Sequence, residues 1–267
     1  MSDLYAVIGN PVEHSKSPQI HAEFARQFNE KIEYIRVLAP RDGFGETVQA
    51  LRARGALGAN VTLPFKEEAY ALVATLSPRA KLAGAVNTLK FDDGMLGENT
   101  DGIGLVRDIE NNLGVAIADR RVLVLGAGGA ARGILGALAE RQPRVLALVN
   151  RDREKAQRVA LAHASVVHIA VFAYPDLHTE YDLIINATAS SIQRERPPVP
   201  ATIFANGALA YDLMYAAEPT PFMQFAKEAG AARVADGVGM LVEQAAESFF
   251  IWRGKRPRTA PVIALLR

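Results

Sequence analysis

The stretch that decides the fold is VLVLGAGGAARG, residues 122–133, in which an apolar run leads directly into a glycine-rich turn. The run Val122–Leu125 predicts a buried strand. Gly126 permits a tight turn after that strand, and Gly128 lets backbone N–H groups approach a pyrophosphate at a helix N-terminus. Ala131 stands at the third glycine position of such a fingerprint. The order of strand, turn and helix start favours dinucleotide binding over a merely structural glycine turn.

Outward from this stretch, the alternation of apolar runs and helical segments continues towards the C-terminus. Further strands are predicted at Val145–Val149, Leu183–Asn186 and Leu209–Leu213. Such a series builds a doubly wound parallel sheet of the Rossmann type. The C-terminal part contains a helix in which Leu241, Ala245, Phe249 and Trp252 share one apolar face.

The N-terminal part alternates in the same way and predicts a separate α/β domain. Its predicted strands and helices are, in order, Leu4–Ile8, Pro18–Phe28, Ile32–Val37, Phe44–Ala53 and Gly58–Val61. The stretch Lys81–Asp101 is dense in Gly, Asn, Asp and Thr, which predicts a hairpin followed by a loop. Gly102–Asn112 has helical spacing and connects the halves, so we place the domain boundary close to Gly102.

Composition restricts the class of function. The 30 basic and 29 acidic residues nearly cancel, which predicts a small-molecule partner and no nucleic acid or membrane surface. Cysteine is absent, and the five histidines lack the spacing of a metal site, so we expect no metal. No apolar run reaches the roughly 20 residues that span a bilayer, and Met1–Asp3 does not resemble a signal peptide. A cytoplasmic protein is expected.

The choice of nucleotide depends on the residues after the second strand of the dinucleotide unit. An acidic residue there would bind the ribose hydroxyls of NAD, but this chain has Asn150 and Arg151. Arg151 can pair with a 2′-phosphate, and Lys155 adds a second positive charge one helical turn later. NAD stays open for two reasons: Asp152 would repel a phosphate that it faced, and these charges are also typical of an ordinary helix start. The pattern favours NADP.

A polar loop leads into the first helix. Ser15 and Ser17 lie two residues apart, so in an extended stretch their hydroxyls point the same way and can hold one carboxylate or diol. The alternative is that Ser17 is the N-cap of the helix with Pro18 at its first position. Both interpretations can hold together, because a cap needs only one serine.

Two further polar groups lack an obvious role in folding. Asn60 and Thr62 alternate at the end of a strand, where ligands of open α/β sheets bind, and Lys66 follows one turn later. Lysine alone is usually a solvated surface residue. The segment Gly97–Gly102, together with Ala85–Thr88, is equally consistent with a turn-rich loop that has no function.

Taken together, these passages resemble the shikimate dehydrogenase family over nearly the whole chain. The motifs that carry the resemblance occur in the family's order: GNPVEHSKSPQIH (9–21), NVTLPFK (60–66), AGAVNT (83–88), NTDGIG (99–104), GAGGAARG (126–133), NATAS (186–190), DGVGMLVEQ (236–244) and WRG (252–254). Ala22 and Ala189 depart from residues frequent in the family, which puts peripheral hydrogen bonds in doubt.

The resemblance implies residue roles. It implies that Lys66 and Asp101 form the catalytic pair. It implies that hydroxyls and carboxylate of the substrate are bound by Ser15, Ser17, Asn60, Thr62, Asn87, Asp101 and Gln244, with Tyr215 nearby. It implies that the cofactor lies along Gly126, Ala127, Gly128, Gly129, Ala130, Asn150, Arg151, Lys155, Thr188, Met214 and Gly237, with Met240 near the nicotinamide.

The resemblance also implies a fold and an activity. The expected fold is α/β with a substrate domain, 1–102 plus 239–267, and a Rossmann domain, 103–238, the C-terminal helix returning to the first. The expected reaction is the reversible NADPH-dependent reduction of 3-dehydroshikimate to shikimate, a step of aromatic amino-acid biosynthesis, by a monomer or homodimer. The alternatives are an NAD-dependent quinate/shikimate dehydrogenase, which Arg151 and Ser17 argue against, and a non-catalytic sensor, which would need neither Lys66 nor Asp101.

Overall fold

The computed structural model describes residues 2–92 and 94–267, and only the backbone of Ile192. Met1, where the segment compared with a signal peptide begins, and Asp93, in the predicted hairpin, lie outside the described residues. The chain divides into two compact units, Met1–Gly104 with Leu241–Arg267, and Leu105–Met240. Each unit contains a six-stranded sheet.

The sheet of the first unit is mixed, with the order β2-β1-β3-β5-β6-β4. Its strands are β1 Asp3–Gly9, β2 Ile32–Leu38, β3 Ala56–Val61, β4 Thr75–Leu76, β5 Thr88–Lys90 and β6 Leu96–Glu98. β1 pairs in parallel with β2 and β3, whereas β5 is antiparallel to both β3 and β6. The antiparallel register sets Asn60 opposite Thr88. The β5–β6 hairpin predicted between Lys81 and Asp101 is therefore confirmed.

Helices connect the strands of both sheets, and several of them begin directly after a loop that carries candidate site residues. They are α1 Ser17–Gln27, α2 Phe44–Ala53, α3 Lys66–Leu72, α4 Pro78–Ala83, α5 Asp101–Arg107, α6 Gly129–Ala139, α7 Arg153–Ala162, α8 Pro221–Glu228, α9 Val238–Arg253 and α10 Ala260–Leu266. A π-helical turn, Asp108–Asn112, continues α5. From Leu241 onward α9 belongs to the first unit, as the resemblance implies.

The predicted N-cap at Ser17 is wrong. Lys16 occupies the N-cap position of α1 without a side-chain capping bond, and Ser17 is the first helical residue. The Ser15 hydroxyl accepts a hydrogen bond from the Ser17 N–H at 3.3 Å. The helix starts one residue earlier than predicted because Ser15, two residues upstream, satisfies this amide instead.

The sheet of the second unit is parallel throughout, with the order β12-β11-β10-β7-β8-β9. Its strands are β7 Arg121–Leu125, β8 Val145–Val149, β9 Ile169–Phe172, β10 Tyr181–Asn186, β11 Phe204–Asp212 and β12 Arg233–Ala235. The predicted doubly wound sheet is confirmed. Strand order reverses between β7 and β10, and ligands of such sheets bind beyond the carboxyl ends of the strands at that point.

The apolar run after which the glycine-rich turn begins lies at the centre of this sheet. Val122 and Val124 pack into the core on one face, and Leu123 and Leu125 pack into the core on the other. A parallel sheet covered on both faces requires such uninterrupted apolar strands. Within residues 2–92 and 94–267, no helix combines the length and apolar character needed to span a membrane.

Candidate active site

Lys66 and Asp101 meet in the first unit although 34 residues separate them in the sequence. Each begins a helix, Lys66 after the turn that follows β3 and Asp101 after the loop that follows β6. Nζ of Lys66 lies 2.6 Å from Oδ2 of Asp101, and their side chains are 19% and 8% exposed. The pair is thus a largely buried ion pair in which the lysine side chain is the more exposed partner.

The carboxylate of Asp101 is held in turn by the amide of Asn87. Nδ2 of Asn87 donates to Oδ1 of Asp101 at 2.8 Å and to Oγ1 of Thr100 at 2.9 Å. Oδ1 of Asn87 accepts the Thr100 N–H at 2.9 Å, which fixes the orientation of the amide. Oε1 of Gln244, on α9, lies 3.3 Å from the same Nδ2. Asn87, a predicted substrate residue, therefore holds the Asp101 carboxylate, and Gln244, another predicted substrate residue, lies beside Asn87.

The two serines lie at one end of a second hydrogen-bonded group. Their Oγ atoms are 3.1 Å apart. The Tyr34 hydroxyl interacts with Ser17 and donates to Oδ1 of Asn60 at 2.7 Å. Burial raises the pKa of Tyr34 well above its ordinary value, so this hydroxyl remains a donor at neutral pH. Asn60 continues the group through Nδ2, which donates to Ser248 at 2.9 Å.

Thr62 links the serine loop to the strand end. Its backbone N–H donates to the Ile8 carbonyl at 2.9 Å. A Cβ on Gly9 would lie 2.5 Å from Cγ2 of Thr62, so only glycine allows the loop after β1 to pass so close. The loop that contains Ser15 and Ser17 and the strand end that contains Asn60 and Thr62 are therefore neighbours in space.

Sequence reasoning missed two polar residues of this region, Tyr34 and Ser248, and it included Thr88 and Thr100 in a polar group without giving either a role. Thr88 and Ser248 are buried, with their hydroxyl oxygens 2.8 Å apart. Ser248 follows Gln244 by four residues, so helical spacing on α9 was an available signal. Tyr34 had no such signal, because its role depends on the parallel pairing of β1 and β2.

The glycine-rich turn of the second unit has the geometry that its sequence predicts. Gly126 has φ +99°, a conformation that favours glycine, and its N–H donates to the Val149 carbonyl at 2.7 Å. A Cβ on Gly126 would lie 3.0 Å from Cγ2 of Thr188, in the loop after β10. No described atom lies within 4 Å of the Cβ position on Gly128, and α6 begins at Gly129 without a side-chain cap. Helix N–H groups at this end suit a phosphate.

The residues on which the choice of nucleotide depends lie after β8. Asp152 is the N-cap of α7, and its Oδ1 accepts the Lys155 N–H at 2.9 Å. Nδ2 of Asn150 donates to the Asp152 carbonyl at 2.9 Å. Arg151 is exposed. The acidic side chain that complicated the prediction thus serves as a helix cap.

The other predicted cofactor residues also belong to the second unit. Thr188 donates through Oγ1 to Oδ1 of Asn186 at 2.7 Å. The Met214 carbonyl accepts the Gly237 N–H at 3.0 Å, and the Met240 N–H donates to the Tyr211 hydroxyl at 3.3 Å. Ala127 and Ala130 lie in the turn and the first turn of α6.

Tyr215, which the resemblance implies lies near the substrate, is in the second unit, after β11. Burial raises the pKa of its hydroxyl. Among the described residues, no group of three or more His, Asp or Glu could hold a metal ion.

Family models match most of the chain. Residues 7–89 match the shikimate dehydrogenase substrate binding domain, residues 108–195 match shikimate / quinate 5-dehydrogenase, and residues 237–267 match the shikimate 5'-dehydrogenase C-terminal domain. The shikimate dehydrogenase (NADP(+)) of Nitrosospira multiformis is 60% identical over 269 residues, which cover 100% of this chain and 98% of that protein.

Solved structures agree with these matches. An Ael1 enzyme from Pseudomonas putida is 47% identical with a TM-score of 0.93, covering 99% of this chain and 98% of that one. Shikimate 5-dehydrogenase from Thermus thermophilus, solved in complex with NADP(H) and shikimate, is 31% identical with a TM-score of 0.88, covering 98% and 97%. With these matches over its full length, the chain belongs to the shikimate dehydrogenase family.

Proposed function

We propose that the protein is an NADP-dependent shikimate dehydrogenase that reduces 3-dehydroshikimate to shikimate, reversibly, for aromatic amino-acid biosynthesis. The observation that carries the proposal is the ion pair of Lys66 and Asp101, with Nζ and Oδ2 2.6 Å apart, inside a ring of amide and hydroxyl groups. We assign substrate binding to residues 1–102 and 239–267, and cofactor binding to residues 103–238.

The reaction requires stabilisation of charge on one oxygen and the transfer of one proton. NADPH, when bound, supplies the hydride for the carbonyl carbon. Lys66, as an ammonium within hydrogen-bond reach of the carbonyl oxygen, stabilises the negative charge that develops there and donates the proton. Asp101 holds Lys66 in place and accepts a hydrogen bond from the neighbouring substrate hydroxyl.

The remaining polar side chains suit a small carboxylic acid with several hydroxyls. Ser15 and Ser17 present neighbouring hydroxyls to the substrate carboxylate. Asn60, Asn87 and Gln244 offer amide groups to substrate hydroxyls, and Thr62 supplies a further hydroxyl. Hydroxyl and amide donors discriminate by hydrogen-bond geometry, because a substrate lacking a hydroxyl leaves a buried polar group unpaired.

The residues of the second unit fit NADP. The space at the Cβ position of Gly128, at the start of α6, suits a pyrophosphate. Arg151 is exposed and suited to a 2′-phosphate, and the Asp152 carboxylate is engaged as a cap. The rest of the proposed cofactor site is lined by Asn150, Lys155, Thr188, Met214, Gly237 and Met240.

The test is the absorbance of reduced nicotinamide while the purified protein oxidises shikimate or quinate with NADP or NAD. Rapid turnover of shikimate with NADP alone is expected. Turnover of quinate with NAD would instead identify the protein as a quinate/shikimate dehydrogenase, and no turnover in any of the four pairings would favour a sensor. We further propose a cytoplasmic monomer or homodimer, and sedimentation equilibrium measures the oligomeric state.

A further inference from the structure

We propose that Asp212 is a positioning residue for the cofactor site, holding the loop after β10 and the loop after β11 in the arrangement that binds NADP(H). Asp212 ends β11 and is fully buried. The inference rests on the proposed function only for the identity of the nucleotide.

The Asp212 carboxylate accepts three hydrogen bonds, one from the segment after β10 and two from the segment that connects β11 to α8. Oδ2 accepts the hydroxyls of Ser191 at 2.7 Å and Thr220 at 2.6 Å. Oδ1 accepts the Met214 N–H at 3.0 Å. Ser191 lies in the loop after β10, and Thr220 is the N-cap of α8. One side chain therefore joins the ends of two neighbouring strands of the sheet.

The carboxylate also sets the direction of the surrounding hydrogen bonds. An ionised carboxylate only accepts, so both hydroxyls must donate to it and keep their lone pairs for other donors. Thr220 can then accept the Met223 N–H at 3.3 Å as the cap of α8. Ser191 can accept Nδ2 of Asn186, also at 3.3 Å.

Through these bonds Asp212 reaches two residues that we assign to the cofactor site. Oδ1 of Asn186 accepts both the N–H and the hydroxyl of Thr188, at 3.1 and 2.7 Å. Met214 is held at its N–H by Asp212 and at its carbonyl by the Gly237 N–H. Thr188 in turn lies beside Gly126 of the glycine-rich turn. Rotation of either loop would displace backbone that approaches the nucleotide.

The isosteric Asp212→Asn variant tests the inference. If the amide oxygen faces the two hydroxyls, its NH2 group faces the Met214 N–H, and two donors clash. If the NH2 group faces the hydroxyls, both hydroxyls must accept from it instead of donating, and their protons lose the buried acceptor that the carboxylate provides. We expect the dissociation constant of NADPH, measured by fluorescence titration without substrate, to rise by at least about ten-fold. The KM for shikimate should change by no more than about two-fold.

Asp182→Asn is the matched control. Asp182 lies on β10, and its carboxylate binds the backbone N–H of Arg121 at 2.7 Å and its guanidinium at 3.0 Å. This variant removes a comparable charge from the same sheet, away from the carboxyl ends of the strands. Its NADPH affinity should stay within about two-fold of wild type. Equal losses in the two variants, with both folded by circular dichroism, would overturn the inference.

Substitutions at the hydroxyl partners keep the test decisive if Asp212→Asn does not fold. Ser191→Ala and Thr220→Val each remove one donor to the carboxylate, and each should weaken NADPH binding by about three-fold or more. Thr220→Ser keeps the hydroxyl and should restore the affinity lost in Thr220→Val. Unchanged NADPH affinity in both donor-deleted variants would overturn the inference. A wild-type protein that binds NADPH but does not oxidise shikimate would contradict the proposed function and leave this inference standing.

Discussion

Nζ of Lys66 lies 2.6 Å from Oδ2 of Asp101, while Oδ1 of the same carboxylate accepts a hydrogen bond from Asn87 at 2.8 Å. Both oxygens of Asp101 are therefore engaged by side chains of the protein itself. In the proposed reaction, a carboxylate held in this way keeps the ammonium in place without reorganisation, as expected of a preorganised polar site. We therefore assign to Asp101 the positioning of the ammonium, and to Lys66 the contact with the substrate oxygen.

Replacement of Lys66 by Met should remove the charge and the proton donor while keeping the length of the side chain. We expect kcat to fall by about 10²- to 10⁴-fold, with a much smaller change in KM for shikimate, because the interaction strengthens in the transition state. Steady-state kinetics measures both. Lys81→Met, at an exposed site on α4, is the matched control and should behave as wild type. A variant with normal kcat and only a raised KM would contradict this role.

Arg151→Gln should change the preference between cofactors. The side chain is exposed, so its loss should affect ligand binding much more than folding. We expect NADPH affinity to fall by about 10- to 100-fold, the effect of losing charged hydrogen bonds to a phosphate, with NADH affinity almost unchanged. Fluorescence titration with both nucleotides measures the ratio, and equal losses for the two would remove Arg151 from the phosphate site.

Gly128→Ala should weaken NADPH binding and leave the stability of the protein nearly unchanged. Gly128 has φ −86° and ψ −171°, which alanine adopts readily, and an added Cβ meets no described atom within 4 Å. The free energy of unfolding should change by no more than about 0.5 kcal/mol, whereas NADPH affinity should fall by about ten-fold or more. Gly45→Ala, on α2, should leave NADPH affinity unchanged. Normal NADPH binding by Gly128→Ala would show that the turn does not approach the pyrophosphate.

His21 should make the protein less stable in acid. It is fully buried and stacks on Tyr34 with ring centroids 4.3 Å apart. Burial lowers the pKa of His21 from 6.5 to about 3, with Asn60 opposing the shift. The unfolded chain binds a proton below its own pKa and the folded protein does not, so stability is lost as pH falls from 6.5 towards 3.

The slope that this histidine contributes is up to about 1.4 kcal/mol per pH unit in that window. His21→Phe keeps an aromatic ring in the stack and should remove this part of the dependence. Urea unfolding at several pH values measures it, and His178→Phe, at an exposed site, should keep the wild-type slope. Parallel slopes for wild type and His21→Phe would contradict the assignment.

The strands that could be predicted from sequence are those with long apolar runs. Val145–Val149 was predicted with the bounds that the structure has, because every residue of a central parallel strand is apolar. β9 and β12 were missed since each is a short edge strand, and β12 consists only of Arg233–Ala235. A run of three residues carries no periodicity.

The candidate site was predictable as a set of residues but not as a network. The family motifs indicate Lys66 and Asp101, yet their 2.6 Å contact depends on where α3 and α5 begin. The hydrogen bonds of Asp212 could not be predicted from the sequence at all. Its partners Ser191, in a short 3-10 helix, and Thr220, the N-cap of α8, lie on either side of β11, and no sequence spacing brings them together.

The most direct measurement of the central claim is made with 3-dehydroshikimate and NADPH in one cuvette. The account predicts that the wild-type protein consumes NADPH, seen as loss of the reduced-nicotinamide absorbance, and forms an equal amount of shikimate, measured by NMR. Absence of NADPH consumption by folded protein that binds NADPH, or consumption without formation of shikimate, would contradict it.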